Sequence, residues 1–202
     1  MKWFFLLLAG ILSVELHAER EIEHLRAGQA VPSVEIRTEK DAALDLQAVI
    51  AGRPSVLIFY RGGWCPFCTR HLAAVAEAAT ELMAAGFKIV ALSPDRPERL
   101  RARPTHEELP YTLLSDSEMR AAKAFGIAFK VEDALVAKYK SDYQIDLEGD
   151  SGQTHHLLSH PAVFIVDQSG VIKFAHVNAD YKVRLAPEEI LTAARAATKG
   201  SR

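Results

Sequence analysis

The two cysteines of the chain, Cys65 and Cys68, lie three residues apart in the segment YRGGWCPFCTRHL, residues 60–72. Two thiols at this spacing can act as a redox pair, can contribute to a metal site, or can be two small core residues. A structural zinc site would need a second pair of ligands, and a disulfide that closes so short a loop constrains the unfolded chain little. The spacing therefore favours redox chemistry.

The start of the chain has the layout of a secretory signal. Residues 1–18 contain one lysine, an apolar run from Trp3 to Val14, and a short polar stretch that ends at Ala18. The run is short for a membrane span, and an uncleaved membrane anchor is the alternative. We expect a signal peptide over residues 1–18, a mature domain over residues 19–202 without stable membrane insertion, and a periplasmic or secreted location. An oxidising compartment would let the two thiols form a disulfide.

The composition is that of a globular protein, with 49% hydrophobic and 25% charged residues among 202. This length predicts one compact domain after the signal. The formal net charge of −2 offers no basic surface for a nucleic-acid partner. No glycine-rich dinucleotide motif is present and no histidine follows the second cysteine, so we predict no nicotinamide, flavin or haem cofactor.

The elements around the cysteines form a recognisable unit. Residues 54–60 and 88–93 are short apolar runs typical of buried strands. Between them, residues 66–85 carry apolar side chains at helical spacing, and Gly86 follows as a helix stop. The pattern predicts a strand, a helix and a second strand that is parallel to the first.

The second half of the chain predicts an antiparallel hairpin, residues 162–167 and 171–177, and a closing helix, residues 187–197. Residues 130–160 look like an insertion over one edge, with a helix and a polar loop, and residues 94–110 look like a solvated loop with a short helix. A parallel unit followed by a hairpin and a helix indicates an α/β fold, a mixed central sheet with helices on both faces.

In this arrangement Cys65 falls at the end of a strand and the start of a helix. Pro66 suits the first helical position, where a missing N–H has no cost. Unpaired N–H groups and the helix dipole favour a thiolate at Cys65, so its pKa should be lowered. Cys68 lies one turn further on the same face, within bonding reach. We expect Cys65 to be an exposed nucleophile and Cys68 its partner.

Four segments carry a family resemblance: FYRGGWCPFC, ALSPD, YTLLSDSEMRAAKAFGI and HPAVFIVDQSGVIKFAHV. They are similar to segments of the thioredoxin-fold redoxins, most closely the peroxiredoxin-like (alkyl hydroperoxide reductase/thiol-specific antioxidant) family. The resemblance runs from about Gly28 to Ala197. It implies a thioredoxin-like fold and the reduction of hydroperoxides by Cys65, with Cys68 as the resolving thiol.

The chain departs from this family at two positions. The family has a threonine three residues before the peroxidatic cysteine and an arginine ahead of the strand that matches AVFIVD. The corresponding residues here are Gly62 and Pro161. Both peroxide-orienting groups are therefore missing, and Arg61 could supply a replacement charge.

Other positions resemble thioredoxins and glutaredoxins. The buried acid that thioredoxins have six residues before the first cysteine is Phe59 here, and the dipeptide between the cysteines looks like that of glutaredoxins. Pro161 matches the cis-proline that faces the two thiols in thioredoxins, and only an X–Pro bond adopts cis at low cost. Groove-shaping or electrostatic support of the thiols is expected from Trp64, Arg61, Pro66 and Pro161.

Three hypotheses follow. We favour a thiol peroxidase acting on a hydroperoxide with an unidentified thiol reductant, because the peroxiredoxin resemblance covers most of the chain. The alternative is a protein disulfide oxidoreductase outside the cytoplasm, which the absent threonine and arginine favour. The third is a copper chaperone, in which His155, His156 or His160 would join the thiols at Cu(I). We predict that the protein holds no resident metal.

Overall fold

The computed structural model describes residues 22–102 and 109–199, so the predicted signal over residues 1–18 lies outside the described residues. The strands are β1 Glu35–Arg37, β2 Ala43–Asp45, β3 Ser55–Phe59, β4 Lys88–Ser93, β5 Thr112–Ser115, β6 Ala128–Lys130, β7 Leu157–Ser159, β8 Ala162–Val166 and β9 Ile172–Val177. The helices are α1 Leu46–Ile50, α2 Pro66–Ala84, α3 Pro97–Arg101, α4 Arg120–Ala124, α5 Asp133–Tyr143, α6 Leu147–Ser151 and α7 Pro187–Lys199.

Seven strands form one sheet in the order β2-β1-β5-β4-β3-β8-β9. Strand β4 runs parallel to β3 and β5, whereas β8 runs antiparallel to β3 and β9. The predicted strand-helix-strand unit is therefore β3-α2-β4, and the predicted hairpin is β8-β9. A second sheet consists of β6 and β7 alone.

Alternate residues of the central strands feed two cores, one on each face of the sheet. In β3, Val56 and Ile58 join a cluster with α2 and α7, while Leu57 and Phe59 join a cluster with α1 and α4. This division follows from the period of two in a strand, and it explains why β3 is an unbroken apolar run. The predicted mixed sheet with helices on both faces is confirmed, and the fold is thioredoxin-like.

The predicted helix after the cysteines is observed over Pro66–Ala84, and Gly86, two residues beyond its end, has a φ of 91°. A left-handed residue after a helix is favourable for glycine because it lacks a Cβ. Within the two described ranges, no helix is both long enough and apolar enough to cross a membrane.

The segment 94–110 is only in part the solvated loop that the sequence predicts. Asp95 and Leu100 are buried, with exposed fractions of 2% and 0%. Leu100 packs into the core beside α2. The Asp95 carboxylate accepts a hydrogen bond from the Gly63 N–H, in the loop before that helix. Arginines and prolines are frequent in this stretch, so its sequence pattern does not indicate that Asp95 and Leu100 are buried.

The predicted insertion is observed as α5, α6 and the paired strands β6 and β7. A small apolar cluster of Val131, Leu147 and Leu158 supports it. Trp64 packs against this cluster as well as against the core beneath α2. The insertion therefore lies beside the cysteine segment, at the edge of the thiol site.

Candidate active site

Cys65 and Cys68 lie where β3 passes into α2. Cys65 is the N-cap residue of α2, with φ −86° and ψ 112°, and Pro66 occupies its first turn as predicted. The Cys68 N–H donates to the Cys65 carbonyl at 3.0 Å, so the two thiols are one turn apart. Both cysteines are free.

The expectation of an exposed nucleophile is wrong for this structure. Cys65 is 1% exposed and Cys68 is 0% exposed. Both belong to the apolar core beneath α2, and the rings of Trp64 and Phe67 pack against that core. Trp64 and Phe67 are neighbours of the cysteines in the sequence, but the sequence does not show where their rings pack.

The two thiols have opposite acidities. A hydrogen bond from the Cys68 thiol, helped by the Cys68 N–H and by the charges of Arg61 and Arg184, lowers the pKa of Cys65 to about 6 against the opposing effect of burial. The same hydrogen bond between the two thiols, together with burial, raises the pKa of Cys68. Cys65 therefore ionises first and Cys68 stabilises its thiolate.

Arg61 is buried, with 4% of its surface exposed. Its Nη2 donates to the Tyr139 hydroxyl at 2.6 Å. Its guanidinium carbon lies 4.4 Å from the centre of the Tyr181 ring and 5.2 Å from that of Trp64. The aromatic contacts hold the positive charge of Arg61 in a buried position beside Cys65.

A second arginine reaches the pair from the loop between β9 and α7. Arg184 Nη2 donates to the Cys68 sulfur at 3.4 Å. The carbonyls of Tyr181 and Val183 accept from its Nη1 and fix the side chain. Sequence reasoning missed Arg184, because a lone arginine in a polar loop carries no signal until the fold brings that loop to α2.

The loop between β3 and α2 needs a glycine at position 62. Gly62 has φ 140°, and a Cβ built there would lie 2.4 Å from Trp64 Nε1. The Asp95 carboxylate holds the next residue by accepting from the Gly63 N–H at 2.9 Å. A threonine at position 62 would collide with the Trp64 ring, so the departure from the family pattern is built into this loop.

Pro161 is buried at the start of β8, but its peptide bond is not cis. All peptide bonds across the described ranges are trans. The Pro161 carbonyl accepts from the Asn178 N–H at 3.2 Å, which continues the β8-β9 ladder in extended form. Pro161 therefore matches the thioredoxin cis-proline in residue type but not in conformation, because its peptide bond is trans. Pro161 still shares a small cavity with His71 and Arg184.

The three histidines considered as copper ligands have other neighbours. His155 Nε2 forms a hydrogen bond with the Ser117 carbonyl oxygen at 2.8 Å, and His156 Nε2 forms one with a Glu148 carboxylate oxygen at 2.8 Å. The His160 ring stacks on Phe129 at 4.5 Å. In the parts of the chain that the structure describes, no group of three or more His, Cys, Asp or Glu residues could hold a metal ion.

Comparisons with known proteins point in one direction. The sequence profile of the AhpC/TSA family matches residues 27–175. The chain is 30% identical over 122 residues to chloroplastic peroxiredoxin Q of Populus jackii, covering 60% of this chain and 56% of that protein. It is 28% identical over 103 residues to peroxiredoxin Bcp of Escherichia coli K12, covering 51% and 65%. The matches thus span less than two thirds of these relatives.

Solved structures share the fold at lower identity. Reduced Prx3 from Vibrio vulnificus in complex with hydrogen peroxide has a TM-score of 0.68 and 20% identity, with coverage of 84% of this chain and 99% of that one. Peroxiredoxin Q of Xanthomonas campestris has a TM-score of 0.62 and 19% identity, with coverage of 84% and 97%.

Proposed function

The chain belongs to the AhpC/TSA family, and from that premise we propose that it is a thiol peroxidase in which Cys65 reduces a hydroperoxide and Cys68 resolves the product. The observation that carries this proposal is the asymmetry of the thiol pair. The pKa of Cys65 is lowered to about 6 while that of Cys68 is raised, so one thiol is ionised beside a protonated partner at neutral pH.

The proposed reaction has two oxidative steps. The Cys65 thiolate attacks one oxygen of the peroxide, an S–O bond forms, the O–O bond breaks, and the alkoxide leaves with a proton as an alcohol or water. Cys68 then loses its proton and attacks the Cys65 sulfur, which expels hydroxide and forms the Cys65–Cys68 disulfide. Two electrons from a thiol reductant regenerate the dithiol. The charges of Arg61 and Arg184 stabilise the anionic sulfur.

A disulfide oxidoreductase is the second candidate, and the crowded Gly62 position favours it. The fold leaves no room there for the threonine that would orient a peroxide. In this reaction the Cys65 thiolate attacks a substrate disulfide, and Cys68 releases the substrate from the mixed disulfide.

The variant Cys68→Ser separates the two candidates, because it keeps the attacking thiol and removes the resolving one. After hydrogen peroxide, mass spectrometry should detect a Cys65 sulfenic acid that dimedone traps. A mixed disulfide formed only with an oxidised protein would instead support the second candidate. Cys65→Ser serves as the control and should consume no peroxide. If Cys65→Ser retained full turnover and Cys68→Ser lost it, the assignment of the nucleophile would be wrong.

We further propose that residues 1–18 direct export and are removed, so that the reaction takes place in the periplasm or outside the cell. The support is the layout of the sequence: a lysine, an apolar run and a small residue at Ala18. Intact-mass measurement of protein from the native host should find Glu19 at the amino terminus. Recovery of residues 1–18 in a membrane fraction would favour the anchored alternative.

A further inference from the structure

A cavity of about 310 Å³ opens beside the first turns of α2, where the loop between β9 and α7 crosses the helix. Its lining includes the apolar residues Phe67, Leu185 and Pro187 and the cationic residues Arg70, Lys182 and Arg184. A volume of this size accommodates a small molecule and is too small for a folded partner.

The three cationic residues of this cavity form no ion pair with an acidic side chain among the residues that the structure describes. The Arg70 guanidinium lies 5.8 Å from the Phe67 ring centre, and Lys182 Nζ lies 5.8 Å from that of Tyr181. Among the described residues, Arg184 donates hydrogen bonds to the carbonyl oxygens of Tyr181 and Val183 and to the Cys68 sulfur. Three cations without a carboxylate create a positive potential that attracts an anion.

Acidic side chains near the cavity offset part of this potential, but none of them is among the described residues that line it. Glu189, in the first turn of α7, accepts from the Ala186 N–H at 3.0 Å and caps its own helix. Asp180 accepts from the Lys182 N–H at 2.9 Å, in the loop itself. The cavity is therefore suited to a molecule with a negative end and an apolar body.

The cavity is linked to the thiol pair through Arg184, although neither cysteine belongs to its lining. Arg184 belongs to the cavity wall and also donates to the Cys68 sulfur at 3.4 Å. Phe67, another wall residue, stands between the two cysteines in the sequence. An anion that enters the cavity is thus held beside the arginine that contacts Cys68, the resolving thiol.

We infer that this cavity receives the reductant of the enzyme, a small thiol that carries carboxylates. Its carboxylates bind Arg70 and Lys182, and its carbon skeleton lies against Phe67 and Leu185. The inference rests on the proposed function, because it requires the Cys65–Cys68 disulfide that the peroxidase reaction forms.

The reduction balances as two thiol–disulfide exchanges. The reductant thiolate attacks the Cys68 sulfur, the Cys65–Cys68 bond breaks, and its electron pair leaves on Cys65, the better leaving group of the two. A second reductant thiolate attacks the reductant sulfur in the mixed disulfide, and Cys68 leaves and takes a proton. The products are the enzyme dithiol and the symmetric disulfide of the reductant.

The test measures reduction of a preformed disulfide, with glutathione as the anionic probe and dithiothreitol as the neutral one. The disulfide is made with diamide, so the measurement does not depend on the peroxidase reaction. In the double variant Arg70→Glu/Lys182→Glu, the second-order rate constant with glutathione should fall by about tenfold or more, as expected for loss of electrostatic attraction. The rate constant with dithiothreitol should change by less than about twofold, because no charge guides that reagent.

The matched control is Lys40→Glu/Arg53→Glu, which makes the same charge change at two exposed positions outside the cavity. It should reduce at the wild-type rate with both reagents. Equal glutathione rates in wild type and the cavity variant would overturn the inference, as would a parallel loss with both reagents, which would indicate structural damage. Consumption of hydrogen peroxide by the reduced wild type is measured separately, so that failure of the proposed peroxidase is distinguished from failure of the reductant site.

Discussion

The acidity of Cys65 depends on groups from three parts of the chain. Cys68 comes from the same helical turn, Arg61 from the preceding loop, and Arg184 from the loop before α7. Local sequence reasoning finds the first two, because they neighbour Cys65 in the chain. It cannot find Arg184, since that contact exists only after α7 has packed against α2.

Replacing Arg61 should raise the pKa of Cys65, because a nearby positive charge favours the thiolate. We expect Arg61→Met to slow alkylation of Cys65 by iodoacetamide about tenfold at about pH 5, where the thiolate is a minor species, and little at about pH 8. The rate is measured against pH in reduced protein that keeps Cys68, and mass spectrometry identifies the alkylated cysteine.

Arg61→Lys keeps the charge and serves as the matched control. Its pH profile of Cys65 alkylation should be close to that of the protein with Arg61. A uniform loss at every pH in Arg61→Met would instead assign Arg61 a packing role among its aromatic neighbours, Trp64 and Tyr181.

The lowered pKa of Cys65 also makes the stability of the reduced protein depend on pH. The folded value of about 6 lies below the usual value of 9.0, so ionisation favours the folded state. This stabilisation is fully present above pH 9.0, decreases as the pH falls, and is lost below about pH 6. Relative to Cys65→Ser, the reduced wild type should gain about 3 kcal/mol between about pH 5.5 and about pH 8.5. Urea unfolding under reducing conditions measures the difference, and an equal pH profile in both proteins would contradict it.

At the scale of elements, the sequence was most informative where hydrophobic patterns are long. The bounds of β4 are those of the predicted run, and α2, β8, β9 and α7 differ from their predictions by one or two residues. Strands β1 and β2 have three residues each, too few to show a period, and they form only because β5 and each other supply partners. The same limit applies to β6 and β7.

The loop between β3 and α2 shows why the burial of the site was not predicted. Its glycines allow a tight path, and Gly62 lets the Trp64 ring fold back over the loop at a distance where a Cβ would collide. A sequence pattern identifies such a glycine pair as a turn. It does not show which side chain packs where the glycine lacks a Cβ.

Gly62→Ala should destabilise the protein by about 1 to 3 kcal/mol, because its φ of 140° is strained for alanine and its Cβ would displace Trp64. The free energy of unfolding by urea measures the loss. The control is Gly86→Ala, which has a positive φ of 91° but no atom within 4 Å of its Cβ. Gly62→Ala should lose more stability than the control, and an equal loss would show that the Trp64 contact is unimportant.

At the scale of the whole molecule, two cores on opposite faces of the sheet carry the fold, and the thiol site belongs to only one of them. Cys65 and Cys68 lie in the cluster of α2 and α7, while the other cluster joins α1, α4 and the first described residues. The site is therefore coupled to the packing of α7, which brings the Arg184 loop to Cys68, and it is separated from the opposite core by the sheet.

The chain that precedes β1 contributes to that opposite core. The Leu25 N–H donates to the Phe125 carbonyl at 3.0 Å, and the Leu25 side chain packs against the cluster. The His24 ring meets the Phe164 ring edge-on at 6.4 Å. Residues 24 and 25 therefore belong to the folded domain.

Two truncations test where the domain begins. A chain of residues 19–202 should unfold at the same urea concentration as the full chain and should react with iodoacetamide at the same rate, because it keeps the described contacts of residues 24 and 25. A chain of residues 27–202 loses the Leu25 packing and its hydrogen bond, and it should be about 1 to 3 kcal/mol less stable. Leu25→Ala in the 19–202 chain is the matched control and should reproduce part of that loss. If removal of residues 1–18 alone destabilised the protein as much as removal of residues 1–26, the first segment would be part of the fold, and its assignment as a removable signal would be wrong.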